Sequence, residues 1–446
     1  MRDIFIVLAC FSTIPLTLLR PHIGILAWCW ISYMNPHRLS WGFAYDARLA
    51  LVVAAATLFA WMISKETKRI QINAVTGLLL AYLFWMSFAN LFALVPDLAF
   101  DKWEEIVKIL VMTFIAMILI NNRERLHAFI WVIIASLMFF GVKGGIFTIL
   151  SGGSYHVWGP PGSFIEDNNA LAMALLMVLP LLWYLQIHSE SKLLRLTLFA
   201  SLGLFAFSII GSQSRGAFLG SVMMMGFLVL KSRRRVMFGV TIVAVLIVAA
   251  AFVPDTWIDR MRTIETYQED GSAMTRLEVW GFAVKIALDH PIFGGGFRVS
   301  YDDSIFLRYI PDALTGGGRN FHSIYFEVLG ELGFIGLGLF LALMAAAWRA
   351  GSWTIKRTAH NPELTWANDL ARMTQVSLVG YATAGAFQNL AFFDLYFHLV
   401  AILFITQQVV ARSLNPDPAG ARKFQPAPVP ARAIGAKVMP RRVGTK

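Results

Sequence analysis

The sequence predicts an all-α, polytopic membrane protein of about twelve transmembrane helices, and three observations lead to this fold class. Of the 446 residues, 57% are hydrophobic and 15% are charged, and the mean hydropathy is +0.62. Soluble domains of this size carry a larger charged fraction. Apolar runs of about 20 residues, the length that crosses a bilayer as a helix, recur along the chain. Basic residues cluster between these runs, as is typical of cytoplasmic loops.

The first apolar segment, residues 4–34, is interrupted by Pro15 and by the pair Arg20-Pro21. Proline removes a backbone donor and breaks a helix interior, so this segment forms either one broken crossing or two short ones. Arg2 precedes the segment and no small-residue cleavage site follows it, which predicts an uncleaved first span. A single crossing here gives twelve helices with both chain ends inside.

The other apolar runs predict eleven further spans, two between each pair of neighbouring basic loops if all of those loops are cytoplasmic. These spans are expected near residues 46–63, 73–92, 102–120, 126–150, 168–187, 196–210, 214–230, 236–253, 323–348, 373–389 and 392–411. The outer connections are then residues 35–45, 93–101, 151–167, 211–213 and 390–391, and the much longer 254–322.

Two segments outside the spans differ in charge. The connection 254–322 separates the spans near 236–253 and 323–348 and carries ten acidic against seven basic residues, a net charge of −3. The tail 412–446 carries eight basic residues against one acidic residue, a net charge of +7, and repeats Ala and Pro. This contrast predicts an outer loop and a disordered cytoplasmic tail, whose simplest partner is the anionic inner leaflet and not nucleic acid. Residues 1–411 are therefore expected to form one membrane domain that includes the large loop.

Within the large loop, the stretch 275–291 predicts an amphipathic helix. Leu277, Trp280, Val284 and Leu288 recur at three- and four-residue spacing. We expect this apolar face to lie on the outer membrane surface or over a cavity.

Two further patterns predict structural roles. Cys10 and Cys29 both lie inside apolar segments, so neither a disulfide framework nor a thiolate metal site is expected.

Gly330, Gly333 and Gly336 recur every third residue, which is typical of close helix packing in a membrane.

A polar cluster precedes the apolar run that begins at residue 323. Glycines at 316–318 let the backbone approach a ligand closely, and Arg319, Asn320 and His322 follow them. The start of a helix attracts an anion, and histidine can accept a proton near neutral pH. Alternatively, this segment is only a glycine loop that enters the membrane, with His322 as its polar anchor.

Arg215 and Arg276 are the other cationic candidates. Arg215 lies in a short turn between two spans, where a charge at the hydrocarbon edge either has an anionic partner or snorkels to the interface. Arg276 starts the amphipathic helix and by itself is an ordinary surface arginine. Guanidinium groups match phosphate oxygens through paired hydrogen bonds. Together with His322, these arginines therefore fit the anchoring of a diphosphate and the activation of a hydroxyl group.

The connection that ends near residue 167 brings further polar residues to the same side. They are Glu166, Asp167, Asn168 and Asn169. These side chains can bind sugar hydroxyls, although Asp167 is also suited to capping the helix that follows. Apart from the adjacent Asp302 and Asp303, no metal-binding spacing is present, and no nucleotide-binding loop is found. We therefore expect neither a metal nor a cofactor.

Three segments of the chain resemble the O-antigen ligase and polymerase superfamily, membrane glycosyltransferases of the bacterial envelope. They are SQSRGAFLG (212–220), RLEVWGFAVKIALDHPIFGGGF (276–297) and RNFHSIYFEVLGELGFIGL (319–337). Their order and topological placement make the resemblance specific, and it covers roughly residues 73–405. An earlier stretch, WISYMNPHRLSWGFAYD (30–46), is similar to a subgroup of O-glycosylation ligases found near exosortase systems.

This resemblance implies transfer of a glycan from undecaprenyl diphosphate to an acceptor hydroxyl at the periplasmic face of the bacterial inner membrane. The acceptor is lipid A-core in ligases, and a growing glycan or a protein side chain in related enzymes. The family's catalytic histidine corresponds to His322, and its two arginines correspond most naturally to Arg215 and Arg276. Arg298, Arg308 and Arg319 are nearby alternatives for the second arginine. We expect Arg319 to contact the diphosphate, and the glycan or acceptor contacts to come from Asn320, Asp167 and Asn169.

A transporter of lipid-linked sugars is the competing class of protein. Transporters usually place polar residues or broken helices near the membrane midplane. Here the polar groups gather at one face, and Lys143 with Gly144-Gly145 is the main internal exception. The sequence therefore favours a transferase over a transporter. The resemblance implies that this transferase works without metal. We expect inversion at the anomeric carbon, because the activated hydroxyl attacks from the face opposite the leaving group.

Overall fold

The computed structural model describes residues 1–231, 271–314 and 316–415. Met1–Val410 form one compact unit, and Ala411–Lys446 form a second unit that is described only at its first residues. Three predicted features lie outside the described residues: the span near 236–253, residues 254–270 of the large loop, and the tail from residue 416.

Throughout the described ranges the chain is helix and connection, with no strand. We number these helices in chain order. They are α1 (Arg2–Leu19), α2 (Pro21–Met34), α3 (Leu49–Ile63), α4 (Ala74–Ala89), α5 (Pro96–Leu119), α6 (Arg123–Leu150), α7 (Asn168–His188), α8 (Lys192–Gly211), α9 (Arg215–Lys231), α10 (Gly271–Asp289), α11 (Asp303–Tyr309), α12 (Ile324–Thr358), α13 (Thr365–Ala384) and α14 (Asp394–Leu414).

Seven of the described helices are long and apolar enough to cross a membrane by length and composition, namely α1, α4 (with the turn to Phe92), α6, α7, α8, α12 and α14. Two shorter apolar helices, Leu49–Ile63 and Arg215–Leu230, accompany them. The predicted all-α membrane fold is confirmed at this level, whereas the predicted count of twelve spans is not.

Residues 4–34 form two helices, α1 and α2, which agrees with the second of the two alternatives that the sequence leaves open. Pro21 occupies the first turn of α2, where its missing N–H costs nothing, and Arg20 before it is extended. Asp3 Oδ1 accepts hydrogen bonds from the N–H groups of Gly42 and Ala44, both at 3.1 Å. The beginning of α1 therefore lies beside the connection that follows α2, and the two helices run back along each other.

One end of the bundle holds the basic connections. Arg125, near the start of α6, makes a bidentate ion pair with Glu66 at 2.7 and 3.2 Å. At the end of α7, His188 Nε2 lies 3.1 Å from Asp369 Oδ2 in α13. The guanidinium of Arg123 lies 5.0 Å above the ring of Trp366. We call this the paired end.

The predicted outer connections meet at the other end, which we call the site end. Val157 N–H donates to the Gly211 carbonyl at 3.2 Å, and Leu94 N–H donates to the Gly295 carbonyl at 3.0 Å. The turn after α13 also contacts the connection before α7, because Gln388 Nε2 donates to Asp167 Oδ2 at 3.1 Å. The predicted grouping of these connections is therefore present in the structure.

Helix α12 is interrupted at Gly333, whose φ of 70° and ψ of −171° are accessible essentially only to glycine. The carbonyls freed by the interruption are satisfied from outside the helix. Gly295 N–H donates to the Gly330 carbonyl at 2.8 Å, and Gly296 N–H donates to the Glu331 carbonyl at 3.0 Å. Gly333 is therefore needed for this conformation, and it is also closely packed, since an added Cβ would meet the Ile292 carbonyl group. Close packing holds for Gly330 too, where an added Cβ would lie 2.7 Å from the ring of Phe321.

The predicted helix in the large loop is present as α10, and it packs on the protein through residues outside the predicted apolar stripe. Its buried residues belong to a small core with parts of the following segments: Val279, Phe282, Ala283, Ile286, Val299, Phe306 and Phe321. Leu277, Val284 and Leu288 of the predicted stripe are instead exposed. The helix is apolar on both faces, so periodicity alone did not determine which face is buried.

Candidate functional site

His322 is held just before the first turn of α12. Its φ of +50° lies in the left-handed region, which is uncommon for a residue with a side chain and recurs at functional sites. The neighbouring Phe321 is buried in the small core, and its carbonyl accepts a hydrogen bond from Trp280 Nε1 at 2.9 Å. Helix α10 therefore fixes the backbone that presents His322.

Burial lowers the pKa of His322 to about 4, and the positive charge of Arg276 contributes in the same direction. Asp167 opposes this effect by raising the pKa, and Arg319 adds to the lowering. These interactions require that all three charged side chains lie near the imidazole. The ring is consequently neutral at physiological pH, and one of its nitrogens has a lone pair available to accept a proton.

The turn that contains Arg215 is locked by the connection before α7. Gln213 has a φ of +54°, and its side-chain amide donates to the Gly153 carbonyl at 3.0 Å. Asn168 Nδ2 donates to the Ser212 carbonyl at 2.7 Å. These contacts fix the start of α9, where Arg215 is half-buried.

Contacts through Phe387 connect the Arg215 turn to the His322 segment. A Cβ added to Gly216 would lie 3.1 Å from Phe387 Cβ. The Phe387 ring lies 6.2 Å from the ring of Trp280, which bonds the residue before His322. The predicted arginine turn and the predicted histidine segment are therefore linked through Phe387 and Trp280.

Asp167 has the capping role that the sequence predicts, and its second carboxylate oxygen makes a further contact. Its Oδ1 caps α7 by accepting hydrogen bonds from the N–H groups of Asn169 and Ala170, at 2.8 and 3.0 Å. Its Oδ2 accepts from Gln388, and its charge acts on His322. Asn169 donates from Nδ2 to Asn168 Oδ1 at 3.3 Å.

Asn320 is oriented by Tyr301, whose hydroxyl donates a hydrogen bond to Asn320 Oδ1. Burial raises the pKa of Tyr301 to about 12, so the phenol stays protonated and can donate. The adjacent carboxylates of the loop have structural contacts. Asp303 Oδ1 accepts from Gly318 N–H at 2.7 Å, and Asp302 Oδ1 caps α11. In the parts of the chain that are described, no three His, Cys, Asp or Glu residues form a metal-binding group.

Sequence reasoning missed two glutamates and one glutamine at this site. Glu327 and Glu331 lie one turn apart in the first half of α12, and both are buried. Ionisable residues inside an apolar run were the available signal, because they are costly there and usually functional. Gln388 had no sequence signal, since its contact with Asp167 joins segments far apart in the chain.

Two family models match the chain. Residues 199–341 match the family described as O-Antigen ligase, and residues 1–190 match a family of unknown function (DUF5935). No curated protein matches the chain. The first match contains Arg215, Arg276 and His322, whereas Asp167 comes from the second.

Proposed function

Because residues 199–341 match the O-antigen ligase family, we propose that the protein transfers O-antigen polysaccharide from undecaprenyl diphosphate to a lipid A-core hydroxyl. The family match and the apolar helices indicate a multi-pass membrane protein with a glycosyltransferase-like activity. The proposal places this protein in the bacterial inner membrane, with the site end facing the periplasm and a lateral opening for the polyprenyl chain.

The observation that best supports this proposal is the grouping of cations around a neutral histidine. Arg276 and Arg319 lie near His322, and the Arg215 turn packs onto the same site. Guanidinium groups bind phosphate oxygens in paired geometry and stabilise negative charge that develops on them. A diphosphate leaving group requires this kind of environment.

In the proposed reaction, the acceptor oxygen attacks the anomeric carbon from the face opposite the diphosphate. The new glycosidic C–O bond forms while the bond from the anomeric carbon to the diphosphate oxygen breaks, so the configuration inverts. The hydroxyl proton passes to the imidazole of His322, and the electron pair of the broken bond stays on the lipid diphosphate. Arg215, Arg276 and Arg319 hold that diphosphate, and no metal takes part in the proposed step.

The remaining polar side chains are proposed to contact the glycan or the acceptor. Asn320 and Asn169 can hydrogen-bond sugar hydroxyls. Asp167 supplies a carboxylate beside His322, which stabilises the imidazolium as it forms. This function draws together residues from both family-matched regions.

A transporter is less well supported, although α12 has the kind of interruption that transporters use. The free carbonyls at the interruption are occupied by protein groups, because Gly295, Gly296 and Trp85 Nε1 donate to them. Each of these carbonyls therefore already has a hydrogen-bond partner within the protein, and the interruption is accounted for without a transported ion. Polymerase and protein O-oligosaccharyltransferase activities use the same donor and differ from the proposed ligase only in the acceptor.

The deciding experiment is gene deletion, followed by analysis of lipopolysaccharide ladders beside glycoprotein stains. A ligase predicts loss of capped core with accumulation of the lipid-linked glycan. Loss of long chains with single units still attached would identify a polymerase. Loss of protein glycosylation alone would identify the protein-directed enzyme, and either of the last two results would overturn the proposed acceptor.

A further inference from the structure

We propose that Glu327 and Glu331 are positioning residues that each fix one side of the site around His322. We call these sides walls: Glu331 fixes the wall that begins at Arg298, and Glu327 fixes the wall formed by the connection before α14. Each accepts a backbone hydrogen bond from a different connection, and each connection bonds a different residue of the site. The inference rests on the proposed function for its activity measurement, while its structural consequences can be measured without activity.

Both glutamates lie in the short half of α12 that ends at Gly333. They are 3% and 4% exposed, so their carboxyl groups lie within the protein. Placing a carboxyl group there is costly, and such groups are retained when they make specific contacts. The structure provides one defined backbone contact for each.

Glu331 fixes the first wall. Its Oε1 accepts a hydrogen bond from Arg298 N–H at 2.8 Å, and Arg298 adopts the left-handed conformation with a φ of +57°. A single helical turn, Val299–Tyr301, follows directly. Tyr301 then donates its hydroxyl to Asn320, two residues before His322. The Glu331 carboxylate is thus connected to the His322 segment by a short series of bonds.

Glu327 fixes the opposite wall. Its Oε2 accepts a hydrogen bond from Ala391 N–H at 3.0 Å, at the connection before α14. The same connection contains Gln388, which donates to Asp167 Oδ2 at 3.1 Å. Asp167 is the carboxylate whose charge acts on His322. Glu327 therefore supports the side of the site that comes from the N-terminal half of the chain.

Backbone hydrogen bonds hold the segment before Arg298 against α12 even without the Glu331 side chain. The hydrogen bonds from Gly295 and Gly296 to the end of the half-helix involve main-chain atoms only. A Glu331→Ala variant should therefore remain folded, while the segment from Arg298 onward loses its support. This separation makes a positioning role testable.

The conservative variant distinguishes positioning from direct chemistry. A positioning glutamate needs only an oxygen that accepts a hydrogen bond, which glutamine also provides. A carboxylate that bound a substrate cation or moved a proton would not be replaced by an amide. We therefore expect Glu331→Gln and Glu327→Gln to retain kcat within about threefold. We expect both alanine variants to lose about 10- to 100-fold in kcat, as for a misplacement near 1 Å.

Double-mutant cycles assign each glutamate to its wall, with the other glutamate as a control of equal burial. Glu331→Ala should be non-additive with Tyr301→Phe and additive with Gln388→Leu. Glu327→Ala should show the reverse. All variants are assayed as full-length detergent-purified protein, with lipid-linked donor and acceptor at varied concentrations, and the pH profile should keep its shape.

Hydrogen–deuterium exchange tests the same inference without turnover. Glu331→Ala should speed exchange of the Arg298 amide and leave the Ala391 amide unchanged, and Glu327→Ala should do the opposite. Unchanged exchange at both amides, or glutamine variants as slow as the alanine variants, would overturn the proposal. Wild-type protein without any transfer would instead overturn the proposed function, since the exchange result does not depend on it.

Discussion

The two ends of the helical bundle use similar residues for different purposes. At the paired end, Arg125 and His188 each face a carboxylate from another segment, Glu66 in the connection after α3 and Asp369 in α13. At the site end, Arg276 lies close enough to His322 to oppose protonation of the imidazole, as does Arg319. The pairs at the first end join segments of the bundle. At the second end, the two arginines outnumber Asp167 around His322, and this excess of positive charge attracts an anion.

This comparison separates stability from activity. Removing a charge at the paired end should weaken the fold and leave transfer intact, because the partner is another segment of the bundle. Removing a charge at the site end should impair transfer, because the proposed partner is the substrate. The following predictions test this division, beginning with the largest effect.

Replacement of His322 should have the largest effect on turnover. We expect His322→Ala and His322→Gln to lower kcat by about 10²–10⁴-fold, as for removal of a general base. His188→Gln at the paired end is the matched control and should transfer glycan at close to the wild-type rate. The measurement is turnover of folded, purified variants at saturating donor and acceptor. Near-normal turnover by both His322 variants would end the general-base assignment.

Replacement of the site arginines should weaken use of the donor. Arg215→Ala and Arg276→Ala each remove charge-assisted hydrogen bonds, so kcat/KM for the donor should fall by roughly 10- to 100-fold. Arg215→Lys should recover only part of this loss, because an ammonium cannot make the paired contact.

Arg125→Ala is the control for the arginine variants, since it removes the bidentate pair at the other end. We expect a loss of about 1 kcal/mol or less in stability and no change in donor use. If Arg125→Ala impaired transfer as strongly as Arg276→Ala, the division between the two ends would be wrong.

Substitution at the interruption of α12 should affect stability most. Gly333→Ala places a Cβ against the Ile292 carbonyl oxygen and requires a conformation that disfavours side chains, with an expected cost of about 1–3 kcal/mol. Gly338→Ala, later in the same helix, meets nothing within 4 Å and should be neutral or slightly stabilising. Thermal unfolding in detergent compares the two, and equal midpoints would contradict the interruption.

The acid limb of the pH–rate profile should show the smallest shift. Because the pKa of His322 is about 4, its neutral form predominates above that pH, and kcat/KM for the donor should fall as the pH decreases through 4. Arg276 contributes to the lowered pKa, so Arg276→Gln should move the acid limb to higher pH. An unchanged acid limb of kcat/KM in this variant would show that the titrating group is not His322.

Much of the site was predictable from local sequence. His322 and Arg319 stand together before an apolar run, and the short turn around Arg215 permits little freedom. For Arg276, Asp167 and His322, the sequence predicted only that they lie on the same face of the membrane. It did not predict that Arg276 and Asp167 lie close to His322. Glu327 and Glu331 were missed although an ionisable residue inside an apolar run is a signal of function. Gln388 was missed because its role depends on a hydrogen bond to a segment far away in the chain.

The sequence by itself determined the membrane class and the approximate position of most described helices. Apolar length and helical hydrogen bonding are properties of a continuous segment, so a local pattern specifies them. It did not determine that residues 4–34 make two helices or that Gly333 interrupts α12. Those features exist because Asp3 bonds the connection after α2, and because a glycine loop supplies the donors that the interrupted helix needs. Such bonds join distant segments, and only the tertiary structure decides which partners meet.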